Sequence, residues 1–261
     1  MTKFPYALVV LSAALAACAD KGATDTADTV ADSVDTVDTV DTVDTVDSET
    51  SDTVTANIAL LDALSPTTVP GGSLTFNGET LAADASGNVN LQLPKNSTLR
   101  LSGDAPGYMT STLVLFTLDE TITTGIVLLQ TAARDALSTQ LGIPYDPTKG
   151  ILAFQSYTWD ESGKAVSLGG TTVDLDVAYS IALATDLRAP GALVPGNVTV
   201  SEADSNAQIT FINVPAGPVN VTVTPPAPYT TCTWYRGDTR VQDYAVEVVA
   251  DIITQVFAFC E

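Results

Sequence analysis

The sequence predicts an all-β protein: two tandem β-sandwich modules joined by a short helix, behind a signal peptide and a disordered acidic tether. Three observations lead to this fold class. From residue 55 onward, short runs rich in Val, Thr and Leu alternate with turn residues such as Gly, Pro, Asn and Asp. Within that region one segment, residues 132–141, spaces its apolar residues as a helix does. Residues 19–54 are rich in Asp, Thr and Val and contain no aromatic residue.

Residues 1–17 are predicted to be a lipoprotein signal peptide. Lys3 is the only charged residue among the first nineteen, and an apolar run of twelve residues follows it at 6–17. Since a spanning helix needs roughly 20 apolar residues, this run is typical of a secretory signal instead. We therefore expect export.

The segment L-A-A-C at residues 15–18 resembles the lipobox of bacterial lipoproteins. The resemblance implies that Cys18 is lipidated, that the membrane is a partner through this anchor, and that the protein resides in the bacterial cell envelope. Ala19, and not Asp, follows Cys18, which favours the outer membrane, in a periplasmic or surface-exposed position. The alternative is an ordinary signal peptide with a chance cysteine.

Residues 18–54 are predicted to be the lipidated cysteine and a disordered tether. Eleven acidic residues between 19 and 54 face a single base, Lys21, and Val-Asp-Thr repeats with period three from residue 34 to 47. That period fits neither a helix nor a strand, and like charges extend a chain. A specific calcium site would need a glycine turn, which the repeat lacks.

The folded region is divided into a first β-sandwich module at 55–131, a short helix and linker at 132–147, and a second module at 148–261. In the first, Asn77-Gly78 predicts a type I′ hairpin, and Val89, Leu91 and Leu93 alternate with polar residues. Gly142 can cap the helix at its C-terminal end. Strand-length apolar runs between Pro- and Gly-rich turns continue through the second module.

Residues 163–173 (G-K-A-V-S-L-G-G-T-T-V) and 211–223 (F-I-N-V-P-A-G-P-V-N-V-T-V) follow a known pattern. They resemble the opening hairpin and the aromatic, Pro-Ala-Gly turn and strand of carboxypeptidase regulatory-like domains, and residues 76–89 resemble them more weakly. The resemblance implies a transthyretin-like (prealbumin-like) or immunoglobulin-like β-sandwich. In zinc carboxypeptidases such domains are accessories beside the catalytic domain. Ala165 in place of the usual proline departs from the pattern.

Cys232 and Cys260 are predicted to form a disulfide. With Cys18 lipidated, two cysteines remain, and an even number in an exported protein indicates a bridge. Both lie in predicted strands, which are either neighbours in one sheet or face each other across the sandwich. Two free buried thiols are the alternative.

Composition excludes several classes of function. The 261 residues carry 31 Asp+Glu against 10 Lys+Arg, a net charge of −21, so no nucleic-acid partner is predicted. The chain has no histidine, which excludes a Ser-His-Asp triad and imidazole metal ligands. We therefore predict no catalytic residue, no metal and no cofactor.

Two groups of side chains keep other interpretations open. Asp174 and Asp176, or the turn at Asp160, would suit a surface calcium ion. For the remaining close carboxylates, Asp119-Glu120 and Asp160-Glu161, catalysis is not expected, because they lie in predicted turns and not across a cleft. Four aromatic residues are candidate carbohydrate platforms, although aromatics on sandwich strands commonly cover the core: Trp159, Tyr179, Trp234 and Tyr235.

The sequence thus predicts a surface-anchored envelope lipoprotein that is not an enzyme. It would act as a non-catalytic binding or structural module with a protein or polysaccharide ligand. The alternatives are an accessory or docking subunit of a secreted enzyme or envelope machine, and a hydrolase of unrecognised type. An exposed apolar patch on one sheet would favour docking, and a pocket with a buried carboxylate would favour the enzyme.

Overall fold

The computed structural model describes residues 52–65, 67–161, 165–186, 192–199, 208–236, 239–241 and 244–261. The predicted signal peptide, Cys18 and nearly all of the tether lie outside the described residues and stay predictions. Within the described part of the chain, no helix has the length and apolar character needed to cross a membrane.

The described chain is mostly β-sheet, with one short helix, which confirms the predicted all-β fold class. The first half contains β1 (Thr53–Asp62), β2 (Ser73–Phe76), β3 (Glu79–Ala82), β4 (Asn88–Pro94), β5 (Thr98–Asp104), β6 (Ser111–Phe116), β7 (Ile122–Leu128) and helix α1 (Thr131–Leu141). The second half contains β8 (Lys149–Trp159), β9 (Ala165–Ser167), β10 (Thr172–Leu175), β11 (Ile181–Asp186), β12 (Ala192–Pro195), β13 (Gln208–Pro215), β14 (Gly217–Thr224), β15 (Cys232–Arg236), β16 (Thr239–Val241), β17 (Tyr244–Val248) and β18 (Ile253–Cys260).

The structure confirms the hairpin turn at Asn77-Gly78 and the end of the helix at Gly142. Asn77 and Gly78 both have positive φ, 50° and 82°, as a type I′ turn requires, and they join β2 to β3. Helix α1 ends where Gly142 adopts the left-handed conformation, with φ 65°. In β4, Val89 and Leu93 are buried whereas the intervening polar residues are exposed.

One large sheet runs through both halves of the molecule. Its strand order is β12-β11-β13-β8-β18-β6-β5-β2-β3, with β9 added to β8 and β15 to β18. Strand β18 lies between β8 and β6 and is parallel to both, so that Ile253 is opposite Ile151 on one side and Ser111 on the other. Strand β18 therefore joins the two halves edge to edge within one sheet, and the division into two separate modules stays a prediction. Their limits at 55–131, 132–147 and 148–261 stay predictions.

Two three-stranded sheets cover opposite faces of this large sheet. The sheet β4-β1-β7 packs on the face that carries Leu101 and Leu113 and encloses one hydrophobic core. The sheet β10-β14-β17 packs on the other face, over Phe154 and Phe211, and encloses the second core. Each small sheet covers only its own half of the large sheet. The opposite face of each half is therefore not covered by a small sheet.

The predicted disulfide is present. Cys232 of β15 and Cys260 of β18 are directly opposite in an antiparallel pair, with Cα atoms 3.9 Å apart. Of the two arrangements that the sequence leaves open, the structure has neighbouring strands in one sheet.

Candidate ligand-binding cleft

A cleft lies on the face of β8 and β18 that neither small sheet covers. Side chains alternate along a strand, so the residues that do not enter the Phe154 core point to this opposite face. Helix α1 stands over part of it, and β7 borders it on the side of the first half. The floor consists of side-by-side pairs from β8 and β18: Ile151 with Ile253, Ala153 with Gln255, Gln155 with Phe257, and Tyr157 with Phe259.

Beneath α1 the cleft deepens into a cavity of about 100 Å³. Its roof is the inner side of the helix, with Leu137 and Ser138, and its floor is the large sheet. Most of its lining surface is apolar. The aliphatic lining residues include Leu113, Val127, Leu129, Ile151, Leu183 and Ile253.

A chain of uncharged polar side chains crosses the cavity floor from β8 to β13. The Tyr157 hydroxyl donates to Gln155 Oε1 at 2.8 Å, and Gln155 Nε2 donates to Gln208 Oε1 at 3.1 Å. Gln208 Nε2 in turn donates to Thr210 Oγ1 at 3.0 Å. Burial raises the pKa of Tyr157 to about 12, so this hydroxyl keeps its proton at neutral pH.

Gln255 fastens β7 to the floor. Its Nε2 donates to the Val127 carbonyl at 2.8 Å and also to Ser111 Oγ. These hydrogen bonds hold β7, which borders the cleft, against β18.

Arg134 of α1 is the charged residue at the cavity, and its charge is already balanced. Its guanidinium lies 2.7 Å from an Asp135 carboxylate oxygen, 3.4 Å from one of Asp251, and 4.4 Å from the centre of the Tyr145 ring. The Tyr145 hydroxyl donates to Asp251 at 3.1 Å. Burial, together with the hydrogen bond to Asp251 and its negative charge, raises the pKa of Tyr145 well above its usual value.

At the far end of β8 the cleft opens into a groove of about 190 Å³, the aromatic groove, lined by Trp159, Phe257, Phe259, Leu118 and Glu120. The Trp159 ring stacks on Phe259, with centroids 4.7 Å apart and an interplanar angle of 12°. Trp159 is 40% exposed and Leu118 is 49% exposed. The groove and the cavity adjoin, because Thr124 and Phe257 line both.

No family model matches the sequence, and no curated protein matches it. Similar solved structures include three pilins. The minor pilin GBS52 of Streptococcus agalactiae has 10% identity and a TM-score of 0.27, over 79% of this chain and 95% of that chain. The shaft pilin SpaA of Lactobacillus rhamnosus GG has 10% identity and a TM-score of 0.24, over 80% of this chain and 98% of that chain. The major pilin T-13 of Streptococcus pyogenes has 9% identity and a TM-score of 0.25, over 80% of this chain and 97% of that chain. Likenesses this loose lead to no conclusion about function.

The four aromatic candidates from the sequence are not brought together. Trp234 is buried in the second core, edge-on to Phe154 at 5.6 Å, and Tyr179 packs against Phe211 at 4.9 Å. The side chain of Tyr235 lies outside the described residues. Trp159 is the candidate that the structure places in an open groove.

Of the carboxylate candidates, Glu120 lines the aromatic groove, and the others line neither the cavity nor the groove. Asp176 accepts hydrogen bonds from the backbone and side-chain amides of Asn220 at 2.9 and 2.6 Å, and Asp174 accepts one from Asn197 at 2.8 Å. Asp119 and Asp160 are exposed after β6 and β8. Among the described residues, no three or more Asp, Glu, Cys or His side chains are grouped so that they could hold a metal ion.

Sequence reasoning does not reveal the three glutamines of the cleft. Gln155, Gln208 and Gln255 each lie in a strand whose other residues are mostly apolar. A single glutamine in an otherwise apolar strand does indicate a hydrogen-bond partner, because a buried amide needs one. Their partners come from different strands, and the sequence does not show which strands are neighbours.

Proposed function

We propose that the protein is an exported, non-catalytic binding or structural module whose aromatic groove contacts the ligand. The observation that carries this proposal is that Trp159 and Leu118, two exposed large apolar residues, line the same groove. Contiguous exposed apolar surface marks interaction sites, and Trp dominates the binding energy of many interfaces. The stacking of Trp159 on Phe259 holds the indole in place before a ligand arrives, which lowers the cost of ordering it.

The ligand proposed for the groove is a protein or a polysaccharide of the cell envelope. A flat indole held by a second ring presents a face on which a sugar ring can stack. Leu118 in the same groove favours a protein partner, because it adds exposed aliphatic surface of the kind that docking buries. The protein partner is the docking alternative, in which the chain serves a secreted enzyme or envelope machine, as the resemblance to carboxypeptidase regulatory-like domains suggests.

We further propose that the protein is held at the envelope by a lipid on Cys18, with residues 18–54 as a spacer. The disulfide between Cys232 and Cys260 supports export, since disulfides persist in oxidising compartments outside the cytosol. Two acyl signals are needed for stable membrane residence, and a processed lipoprotein cysteine supplies them. The outer membrane is the proposed site.

The anchor is tested by replacing Cys18 with Ser and fractionating the cells. The variant is expected to appear in the soluble fraction or to remain unprocessed. Membrane retention and processing identical to those of the native chain would contradict the anchor.

The groove is tested with the full chain carrying Cys18→Ser, so that no lipid of its own binds membranes. Co-sedimentation with isolated envelope fragments, treated or untreated with protease, measures binding and separates a protein ligand from a polysaccharide. Trp159→Ala is expected to weaken binding at least about tenfold, which corresponds to roughly 1.4 kcal/mol. Val249→Ala, an exposed apolar residue that does not line the groove, is the matched control. Equal binding by both variants would refute the proposal.

A further inference from the structure

Helix α1 covers the cavity without burying any of its own residues. An eleven-residue helix is marginal in isolation and depends on packing of one face against the rest of the protein. Leu137 and Ser138 face the cavity, yet apolar space remains beneath them. The helix is therefore held over an incompletely filled site.

The lining selects an apolar occupant. Aliphatic side chains from α1, β6, β7, β8, β11 and β18 surround the space, and the polar groups of the floor hydrogen-bond to one another. Water in such a cavity would find few free partners, whereas an apolar cavity of about 150 Å³ in another protein stays dry and binds benzene. A cavity of about 100 Å³ is smaller than that, so only part of an alkyl chain fits in it and the rest would lie in the open cleft.

The charges around the cavity select against a charged occupant. Among the described lining residues Arg134 alone carries a charge, and Asp135 and Asp251 already balance it. An anion would also approach a chain whose net charge is −21. A buried cation would find no free carboxylate in the lining, and an unpaired buried charge is costly.

The shape favours a chain over a ring. The cavity lining runs along β8 from Ile151 to Tyr157 and, beside it, along β18 from Ile253 to Phe257. Six residues of strand span about 20 Å at ~3.3 Å each. The cleft is thus long and narrow.

We infer that the cleft beneath α1 binds a single alkyl chain with an uncharged head group. The chain lies along β18, under Leu137 and Ser138, and gives the helix the apolar contact that it lacks. This ligand is additional to the proposed envelope partner of the aromatic groove, and it occupies the cavity end of the cleft.

The test is a calorimetric titration of the full chain carrying Cys18→Ser with decan-1-ol. Saturable binding at one site per chain and a rise in melting temperature are expected, because a ligand that binds only the folded state stabilises it. Ser138→Leu fills the cavity from the roof, with a residue that favours a helix, and should weaken binding at least tenfold. Gln140→Leu makes a similar change on the exposed side of the same helix and should leave binding unchanged.

Three outcomes would overturn the inference: no saturable binding, undiminished binding by Ser138→Leu with a native circular dichroism spectrum, or decanoate binding as tightly as decan-1-ol. Sedimentation with phosphatidylcholine vesicles that contain a monoacylglycerol, a membrane lipid with one chain and an uncharged head group, identifies the source of the chain. Vesicle binding that Ser138→Leu abolishes assigns it to a membrane lipid, and decanol binding without vesicle binding assigns it to a free molecule. Trp159→Ala tests the aromatic groove separately, so failure of one proposal is distinguishable from failure of the other.

Discussion

Asp62, at the end of β1, shows how one buried carboxylate organises its surroundings. It accepts hydrogen bonds from the backbone N–H of Leu64 and Ser65, from the Tyr108 hydroxyl at 2.7 Å and from Gln130 Nε2 at 2.7 Å. Burial by itself would raise the pKa of Asp62, but the four hydrogen bonds outweigh it and hold the pKa below its usual value. The ionised form therefore stabilises the junction of β1 with the segments that follow β5 and β7.

Replacing Asp62 with Asn is expected to lower the free energy of unfolding at pH 7 by about 2 kcal/mol, the scale of hydrogen bonds to a charged group. A carboxyl with a lowered pKa stabilises the fold above its unfolded-state pKa, and this contribution is lost as the pH falls through its folded-state pKa. Urea unfolding at pH 7 and near pH 2 should show the difference from the native chain shrinking in acid. Glu79→Gln, at an exposed position, is the control. A difference that does not depend on pH would contradict this account.

At the residue scale, the sequence predicts those local conformations that depend only on residues adjacent in the chain. Asn77-Gly78 predicts its hairpin because the two residues themselves supply the positive φ angles. The role of Asp62 is not predictable in this way, since Tyr108 and Gln130 lie 46 and 68 residues away. The glutamines of the cleft escape prediction for the same reason.

Among the elements, β15 depends most visibly on a covalent bond. Within the described part of the chain it pairs with β16 and with the end of β18, where Cys232 and Cys260 are opposite each other. The even number of remaining cysteines predicts that bridge, although it does not determine which strands are neighbours. The helical spacing at 132–141 likewise predicts α1 but not the cavity beneath it, because a helix pattern does not say how closely its face packs.

Replacing Cys232 and Cys260 together with Ser is expected to reduce the free energy of unfolding by about 3–4 kcal/mol. The bridge spans 28 residues of sequence, and the chain-entropy model gives this scale for such a loop. Denaturant unfolding of the double variant, compared with Cys18→Ser, measures the loss. A midpoint equal to that of Cys18→Ser would show that the bridge contributes nothing to stability.

The whole molecule is unified by β18. Regular turn spacing predicts two modules in succession, but nothing local predicts that Ser111 and Ile253, which are 142 residues apart, lie side by side. Arg100 of β5 adds a second link, because it donates to the Glu247 carbonyl of β17 at 3.1 Å. The two cores therefore share a sheet, and we expect them to unfold together.

Phe154→Ala tests this coupling from the second core. Phe154 is fully buried, and its truncation should cost about 3–5 kcal/mol. Scanning calorimetry is expected to show one unfolding transition in both the native chain and the variant, displaced to lower temperature in the variant. Hydrogen exchange at β5 and β6 amides should accelerate along with exchange in β8. Two separate transitions, or unchanged exchange in β5 and β6, would show that the halves are independent.

The central position of β18 also sets the order in which the protein can form. Strands β1 to β7 all lie within residues 53–128, so a chain delivered from its N-terminus can pair them early. The seam between β6 and β8 closes only after residues 253–260 arrive, and contacts so distant in sequence form slowly. Until then both strands present an open edge, the surface on which chains aggregate. Pairing of β18 with β6 and β8 thus closes these edges and ends the period in which the emerging chain is open to aggregation.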